Sequence, residues 1–275
     1  MPGEVVLGDA VQGMRKLAKR GDTFDAIYAD PDYNVGVRYN GESKIRPDGE
    51  YLTWCEDWSR LAYDLLKPTG NFFVVNYPRN NAYLWVRCLD SLFYAVHEYA
   101  WVYPTNVGHS KKRLTTAHRT ILHCRKTNEN KWSKARIAQP YLNPTDKRIR
   151  KNMANGSPGR MPYSWLQYNL VKNVSREKTD HACQIPEKLS ELLFGACTDP
   201  GDSILVMFGG SGSEVVTAER LGLEYLAFEI SPRYHALIEK RVASVRRELT
   251  KRKTAQKRVR TLSSYSERTL QTQIR

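Results

Sequence analysis

Six short runs rich in β-branched, aromatic and aliphatic residues punctuate the chain, at 24–29, 71–76, 95–103, 119–125, 203–208 and 224–230, each ending in polar or turn-forming residues. Runs this short and this apolar read as buried strands. Helical stripes lie between several of them. Over 52–66, Leu52, Trp58, Leu61, Ala62 and Leu65 fall near one face, and Lys67-Pro68-Thr69-Gly70 is expected to end the helix. After Glu229, Ser231 suits an N-cap and Pro232 the first helical position, followed by Tyr234, Leu237, Ile238, Val242, Val245 and Leu249 on one stripe. Alternating strand and helix predicts an α/β fold, a mostly parallel sheet with helices on both faces. With 275 residues, 41% of them hydrophobic, one such core and an insertion can be buried.

Charge divides the chain unevenly. Residues 1–104 carry 11 basic against 14 acidic residues and 181–240 carry 4 against 9, whereas 105–180 carry 17 against 4 and 241–275 carry 11 against 2. Two segments therefore account for the net charge of +14. Ordinary solvated surface mixes the signs, so a polyanion that releases counterions on binding is the expected partner, with a solubilising tail as the alternative for the C-terminal segment. No apolar run reaches the roughly 20 residues of a membrane span and no secretory leader is evident, so a soluble, intracellular protein with no membrane role is expected. Cys55, Cys88, Cys124, Cys183 and Cys197 are scattered without metal-ligand spacing and read as reduced, mostly buried thiols.

These shifts suggest four parts: half of the core over 1–126, a basic insertion rich in Asn, Pro and Gly over 127–180, the rest of the core over 181–249, and a basic flexible tail over 250–275.

Two strand-ending loops carry chemistry. In Asp30-Pro31-Asp32-Tyr33-Asn34 a carboxylate stands where a strand exits, the place where open parallel sheets collect ligands. Tyr33 could stack on a flat substrate whose polar edge meets that carboxylate, or simply pack on the core. The second loop, Phe208-Gly209-Gly210-Ser211-Gly212, leads into a helix, and Glu229 ends the next strand, where it could accept from ribose hydroxyls. Alone, this turn does not distinguish a dinucleotide, an adenosine-type cofactor or none.

Together these motifs carry a resemblance. Asp30-Pro31-Asp32-Tyr33 resembles the D-P-P-Y motif of DNA amino-methyltransferases, and Phe208-Gly209-Gly210-Ser211-Gly212 their F-x-G-x-G motif. Their order, with a basic stretch between, is similar to the circularly permuted β-type arrangement of that family. Gly8-Asp9, Leu66-Lys67-Pro68-Thr69-Gly70, His181-Ala182-Cys183-Gln184-Ile185-Pro186-Glu187, Pro200-Gly201-Asp202 and Phe228-Glu229-Ile230 match as well, so the likeness spans roughly 4–245.

The resemblance implies a Rossmann-like S-adenosylmethionine-dependent methyltransferase fold and methylation of an exocyclic amino group of a base. Adenine N6 in DNA is implied first, because Asp30 stands where cytosine-N4 enzymes more often carry Ser; cytosine N4 or an RNA base is the alternative. Asp30, Pro31 and Tyr33 would be catalytic. Asp9, Asp30, Gln184, Pro186, Phe208, Gly209, Gly210, Ser211, Gly212 and Glu229 would surround the cofactor, without a metal. Lys111, Lys112, Arg113, Lys147, Arg148, Arg150, Lys151 and Arg160 are candidate phosphate contacts, whereas aromatics such as Trp165 more often pack. A homodimer is also implied, in the cytoplasm or, in a eukaryote, the nucleus or another DNA-containing compartment.

Two positions depart from the family pattern. Asp32 replaces a second proline, an extra carboxylate expected to raise one pKa of a pair with Asp30 or to repel phosphate. Val206 and Met207 replace an acidic residue and a proline, which removes a carboxylate near the cofactor's methionine end. A nucleic-acid-binding protein without turnover is the reading these departures would favour.

Overall fold

The computed structural model describes residues 3–36, 45–104, 111–172 and 175–273, with side chains described up to residue 255. Its strands are β1 (Glu4–Leu7), β2 (Phe24–Ala29), β3 (Leu66–Asn76), β4 (Ala95–Val102), β5 (His118–Arg125), β6 (Trp165–Gln167), β7 (Ser203–Val206) and β8 (Glu224–Glu229). The helices are α1 (Ala10–Arg20), α2 (Asp48–Leu65), α3 (Pro78–Leu84), which passes through a π-helical turn into α4 (Asp90–Leu92), α5 (Lys134–Ile137), α6 (Lys147–Ala154), α7 (Glu187–Cys197), α8 (Ser213–Leu221) and α9 (Pro232–Gln273). The described strands form one sheet in the order β1-β8-β7-β2-β3-β5-β4-β6. Only β5 runs against its neighbours β3 and β4.

Alternation along the central strands explains the two layers of helices. Ile27, Ala29, Phe72, Val74, Leu205 and Leu226 point to the face covered by α1 and α2, where Met14, Leu17, Trp58 and Leu65 are buried. Ala26, Tyr28, Phe73, Val75, Ile204 and Ala227 point to the other, under Leu189, Phe194, Val215, Ala218 and Ile238 of α7, α8 and α9. A sheet buried on both faces needs near-continuous apolar strands, the composition that marked these runs. As expected, Ser231 caps α9, its hydroxyl accepting from the Tyr234 amide at 3.4 Å.

From β2 the chain builds outward through α2 to β3, and from β7 through α8 to β8 on the other side. Strand order therefore reverses between β2 and β7, the switch point where the ends of open α/β sheets part into a crevice. Both motif loops leave the sheet at this place.

Some boundaries differ from expectation. Residues Lys67 to Gly70 do not form a helix-ending turn: α2 stops at Leu65 and they begin β3, where Leu66 pairs with Phe24 before the register shifts ahead of Ala26. The short strands β1 and β6 have too few residues for a periodic signal, and β6, from the basic segment, adds an edge strand beside β4. Helix α9 continues through the stretch expected to be a flexible tail, and the tail's side chains from residue 256 lie outside the described residues.

Candidate functional site

The loop after β2 is held from several sides. Asp32 Oδ1 accepts from the Asn34 amide at 2.8 Å, and Asn34 has a left-handed backbone with φ 57°. The Asn34 side chain bridges the Arg46 backbone, donating to its carbonyl at 2.9 Å and accepting from its amide at 2.7 Å. Tyr51 of α2 donates to the Asp32 carbonyl at 2.7 Å, and Asn80 of α3 to the Tyr33 carbonyl at 2.9 Å. With the backbone fixed in this way, the Tyr33 hydroxyl donates to Asp30 Oδ1. The side chains of Asp30 and Tyr33 are thus locked together, with Pro31 buried between them.

Beneath Tyr33 lies a buried cation. The Arg119 guanidinium, on β5, is 4.5 Å from the centre of the Tyr33 ring and within 6 Å of the rings of Trp101, Tyr77 and Tyr103. The residue is 6% exposed, and its Nε and Nη1 have no hydrogen-bond acceptor among the described residues. Aromatic faces and nearby negative charge hold it instead. Burial pushes the Asp30 carboxyl up to about 7, against the opposing pull of Arg119 and of the Tyr33 hydrogen bond. Asp32 is engaged elsewhere. Its carboxylate pairs with Arg46 at 3.1 Å, so the expected repulsion between the two aspartates is replaced by a neutralised pair at the loop's outer side.

The glycine-rich loop after β7 is tied to the end of β8. Gly209 donates to the Phe228 carbonyl at 2.7 Å and Gly210 to Glu229 Oε2 at 2.7 Å, while Glu229 Oε1 accepts from the Ser231 amide at 2.7 Å. Gly210 has φ +52°, and a Cβ there would lie 3.3 Å from the His181 ring, so only glycine lets this backbone approach the cavity unstrained. Burial raises the Glu229 carboxyl and holds the His181 imidazole down at about 4.

Between the loops lies a cavity of about 370 Å³, in the size range of small-molecule sites, ~300–1,000 Å³. Asp9, Asp30, Pro31, Tyr33, Phe208, Gly209, Gly210, Ser211 and Glu229, all expected at a site, line it. Asp9 also caps α1, accepting from the Gln12 amide at 2.8 Å, and Phe208 also packs on Trp54 and Trp58. Each of them therefore both supports the fold and faces the cavity.

Three expected lining residues are not there. Gln184 accepts from Thr179 and donates to the Glu177 carbonyl at 2.6 Å, so its amide fastens its own loop. Pro186 starts α7, and Gly212, with φ 78°, caps α8 against Ile238. Val206 is wholly buried in β7, and Met207 reaches the cavity wall. Arg46, Trp54, Glu214 and Tyr234 also line the cavity and were not expected there, and Arg119 supports it from below. The only local hint was Glu214, a carboxylate directly after the glycine loop.

The candidate phosphate contacts lie elsewhere on the surface. Lys147, Arg148, Arg150 and Lys151 are exposed along α6, as are Lys111, Lys112 and Arg113 before β5. Arg160 is half-buried, its guanidinium 4.2 Å over the Tyr163 ring. Trp165, read as more often packing than contacting bases, is 54% exposed and stacks on Tyr163.

Comparison with known proteins places this geometry among relatives. The sequence pattern of the DNA methylase family matches residues 24–240. The type II methyltransferase M.BglII of Bacillus subtilis is 29% identical over 78% of this chain and 62% of its own length. The DNA adenine methyltransferase YhdJ of Escherichia coli is 23% identical over 84% of this chain and 79% of its own. Among solved structures, the cytosine-N4-specific PvuII DNA methyltransferase superposes with a TM-score of 0.66 at 19% identity, covering 89% of this chain and 91% of that one. M1.HpyAVI in complex with S-adenosylmethionine does so at 0.63 and 20%, covering 88% and 99%.

Proposed function

This chain belongs to the DNA methylase family, and from that premise we propose that it transfers a methyl group from S-adenosylmethionine to the exocyclic amino group of a base flipped out of DNA, with adenine N6 as the target. The observation that carries the reading is that the Asp30–Tyr33 pair and the Gly209–Gly210 turn with Glu229 face one cavity from adjacent strand ends.

The residues present fit the cofactor. The Gly210 backbone permits close approach, Glu229 and Asp9 offer carboxylates to hydroxyls and ring nitrogens, and Phe208, Phe228 and Ile230 give apolar walls to a purine. When bound, it supplies an activated methyl group.

An exocyclic amino nitrogen is a poor nucleophile because its lone pair is delocalised into the ring. Asp30 Oδ1 is engaged by Tyr33, which leaves Oδ2 to accept one amino hydrogen, and the Pro31 carbonyl would accept the other. Both bonds favour a pyramidal nitrogen with an available lone pair, and the one to Oδ2 needs Asp30 ionised. Arg119 favours that state from beneath. As the nitrogen gains the methyl group it must lose one proton, and Asp30 Oδ2, already the acceptor of that hydrogen, would take it up and pass it to solvent; the rest of the contribution is positioning and fixed electrostatics. Flipping the base costs about a few kcal/mol, offset by edge hydrogen bonds and stacking in the cavity, with Tyr33 as the stacking partner.

Adenine is favoured by Asp30 itself and by the presence of an adenine methyltransferase among the relatives; the cytosine-N4-specific enzyme among structural neighbours names the competing outcome. Mass-spectrometric nucleoside analysis of unmethylated DNA, and separately RNA, incubated with the protein and S-adenosylmethionine tests it. N6-methyladenine in DNA is expected. N4-methylcytosine or a methylated RNA base would replace the target, and no methylated nucleoside despite cofactor binding would support the reading without turnover.

A further inference from the structure

Glu214 plays no part in the chemistry described above, yet it lines the same cavity as Asp30 and is 3% exposed. It stands in the first turn of α8, where the helix dipole favours a negative charge. Its hydrogen bond from Ser190 of α7 is long, at 3.4 Å. Around it lie Tyr28 from β2, Asp30 from the loop that follows, Ser190 from α7 and Arg241 from α9. Arg241 is already committed, donating to the Ser211 carbonyl and to Glu187 at 2.5 Å each. A second buried carboxylate beside Asp30 is an unfavourable arrangement in the free protein, and a cationic group entering the cavity would relieve it.

Resting on the proposed cofactor, the direction of binding follows from its chemistry. The amino group to be methylated must sit at Asp30, so the sulfonium lies at that end, while the ribose and adenine extend toward Glu229 and Asp9. The methionine tail would continue past the sulfonium, and with Asp9, Asp30 and Glu229 assigned and Asp32 paired with Arg46, Glu214 is the remaining carboxylate of the lining. We propose that the Glu214 carboxylate is the cofactor-binding residue that accepts the α-ammonium of the methionine tail. Burial, and then the Asp30 charge, push the Glu214 carboxyl up to about 8 in the free protein. At pH 7 it is mostly protonated, and pairing with an ammonium ionises it, so binding releases a proton.

Isothermal titration of the full chain at pH 7, in two buffers of different ionisation enthalpy, tests this with S-adenosylmethionine, S-adenosylhomocysteine and 5′-methylthioadenosine. The last lacks the amino acid tail. For Glu214→Gln, affinity for the first two should fall alike, by about 10-fold or more as for a charge-assisted hydrogen bond, with the proton release lost. Affinity for 5′-methylthioadenosine should stay within about twofold, which also shows that the variant is folded. Glu214→Asp should retain the proton release. Equal affinity and equal proton release in wild type and Glu214→Gln would overturn the assignment. So would a loss confined to S-adenosylmethionine, which would put the carboxylate at the sulfonium, or a loss for all three ligands, which would make its role structural. Wild type that binds none of the three would instead remove the cofactor reading on which the assignment rests.

Discussion

Replacing Arg119 by Met keeps an unbranched apolar stem and removes the buried cation. In the native site burial drives Asp30 upward and Arg119 opposes it, with a net value of about 7. An opposite charge at close range shifts a carboxyl by about 1–3 units, so the middle of that range moves Asp30 to roughly 9, equivalent to about 2.7 kcal/mol. At pH 7.5 the ionised fraction would fall from roughly three-quarters to about 3%, so the methyl-transfer rate should drop roughly 25-fold and recover near pH 9.5. Single-turnover transfer of labelled methyl to a duplex oligonucleotide, followed from pH 6 to pH 10, reads this directly. Wild type should rise through about pH 7, Arg119→Met about two units later, and Arg119→Lys in between. An acid limb at the same pH in wild type and Arg119→Met, with lower rates throughout, would mean that Arg119 merely supports the packing of Tyr33, and the electrostatic argument would be wrong.

Asp30→Asn keeps the shape but loses the charged acceptor, and should lower the transfer rate by about 10²–10⁴-fold, with cofactor affinity measured by titration changed far less. Changing Lys147, Arg148, Arg150 and Lys151 of α6 together to Ala should weaken DNA binding and flatten the slope of log affinity against log salt by up to about 3–4, as measured by fluorescence anisotropy; an unchanged slope would move the DNA elsewhere. For Glu214 the folded-state value is raised above the unfolded one, so its contribution to stability is fully present below about 4.5 and is lost as pH rises through about 8. Glu214→Gln escapes that loss. Relative to wild type its unfolding free energy should therefore improve between pH 5 and pH 9, by up to about a few kcal/mol in cofactor-free protein, as followed by urea denaturation.

Much of the architecture is written locally. Strand runs such as 24–29 and 203–206 are apolar on both faces because helices cover both faces, and that composition is legible in a short window. The two loops are legible for the same reason. A carboxylate at a strand exit and glycines before a helix are chemical statements made by consecutive residues, and the sheet needs only to set the two exits side by side at the β2–β7 switch point.

What the sequence could not express is which distant side chain meets each of those residues. Arg119 lies two strands away from Asp30 in the sheet order, on the one antiparallel strand, and its own run shows nothing but an ordinary strand with a basic residue at its start. Only packing under Tyr33 makes it the cation that opposes the effect of burial on Asp30. The partner of Asp32 is likewise tertiary: Arg46 arrives from the segment just before α2 and neutralises the carboxylate that the motif alone sets against Asp30. Gln184 shows the reverse, a residue in a matching motif whose amide is taken by Thr179 and Glu177. The sequence by itself determined six of the eight described strands and the two motif loops, because these depend on neighbours along the chain. Burial and electrostatic partnership depend on neighbours in space, so only the tertiary structure brought Glu214 to the cavity, Arg119 beneath Tyr33 and Arg46 onto Asp32.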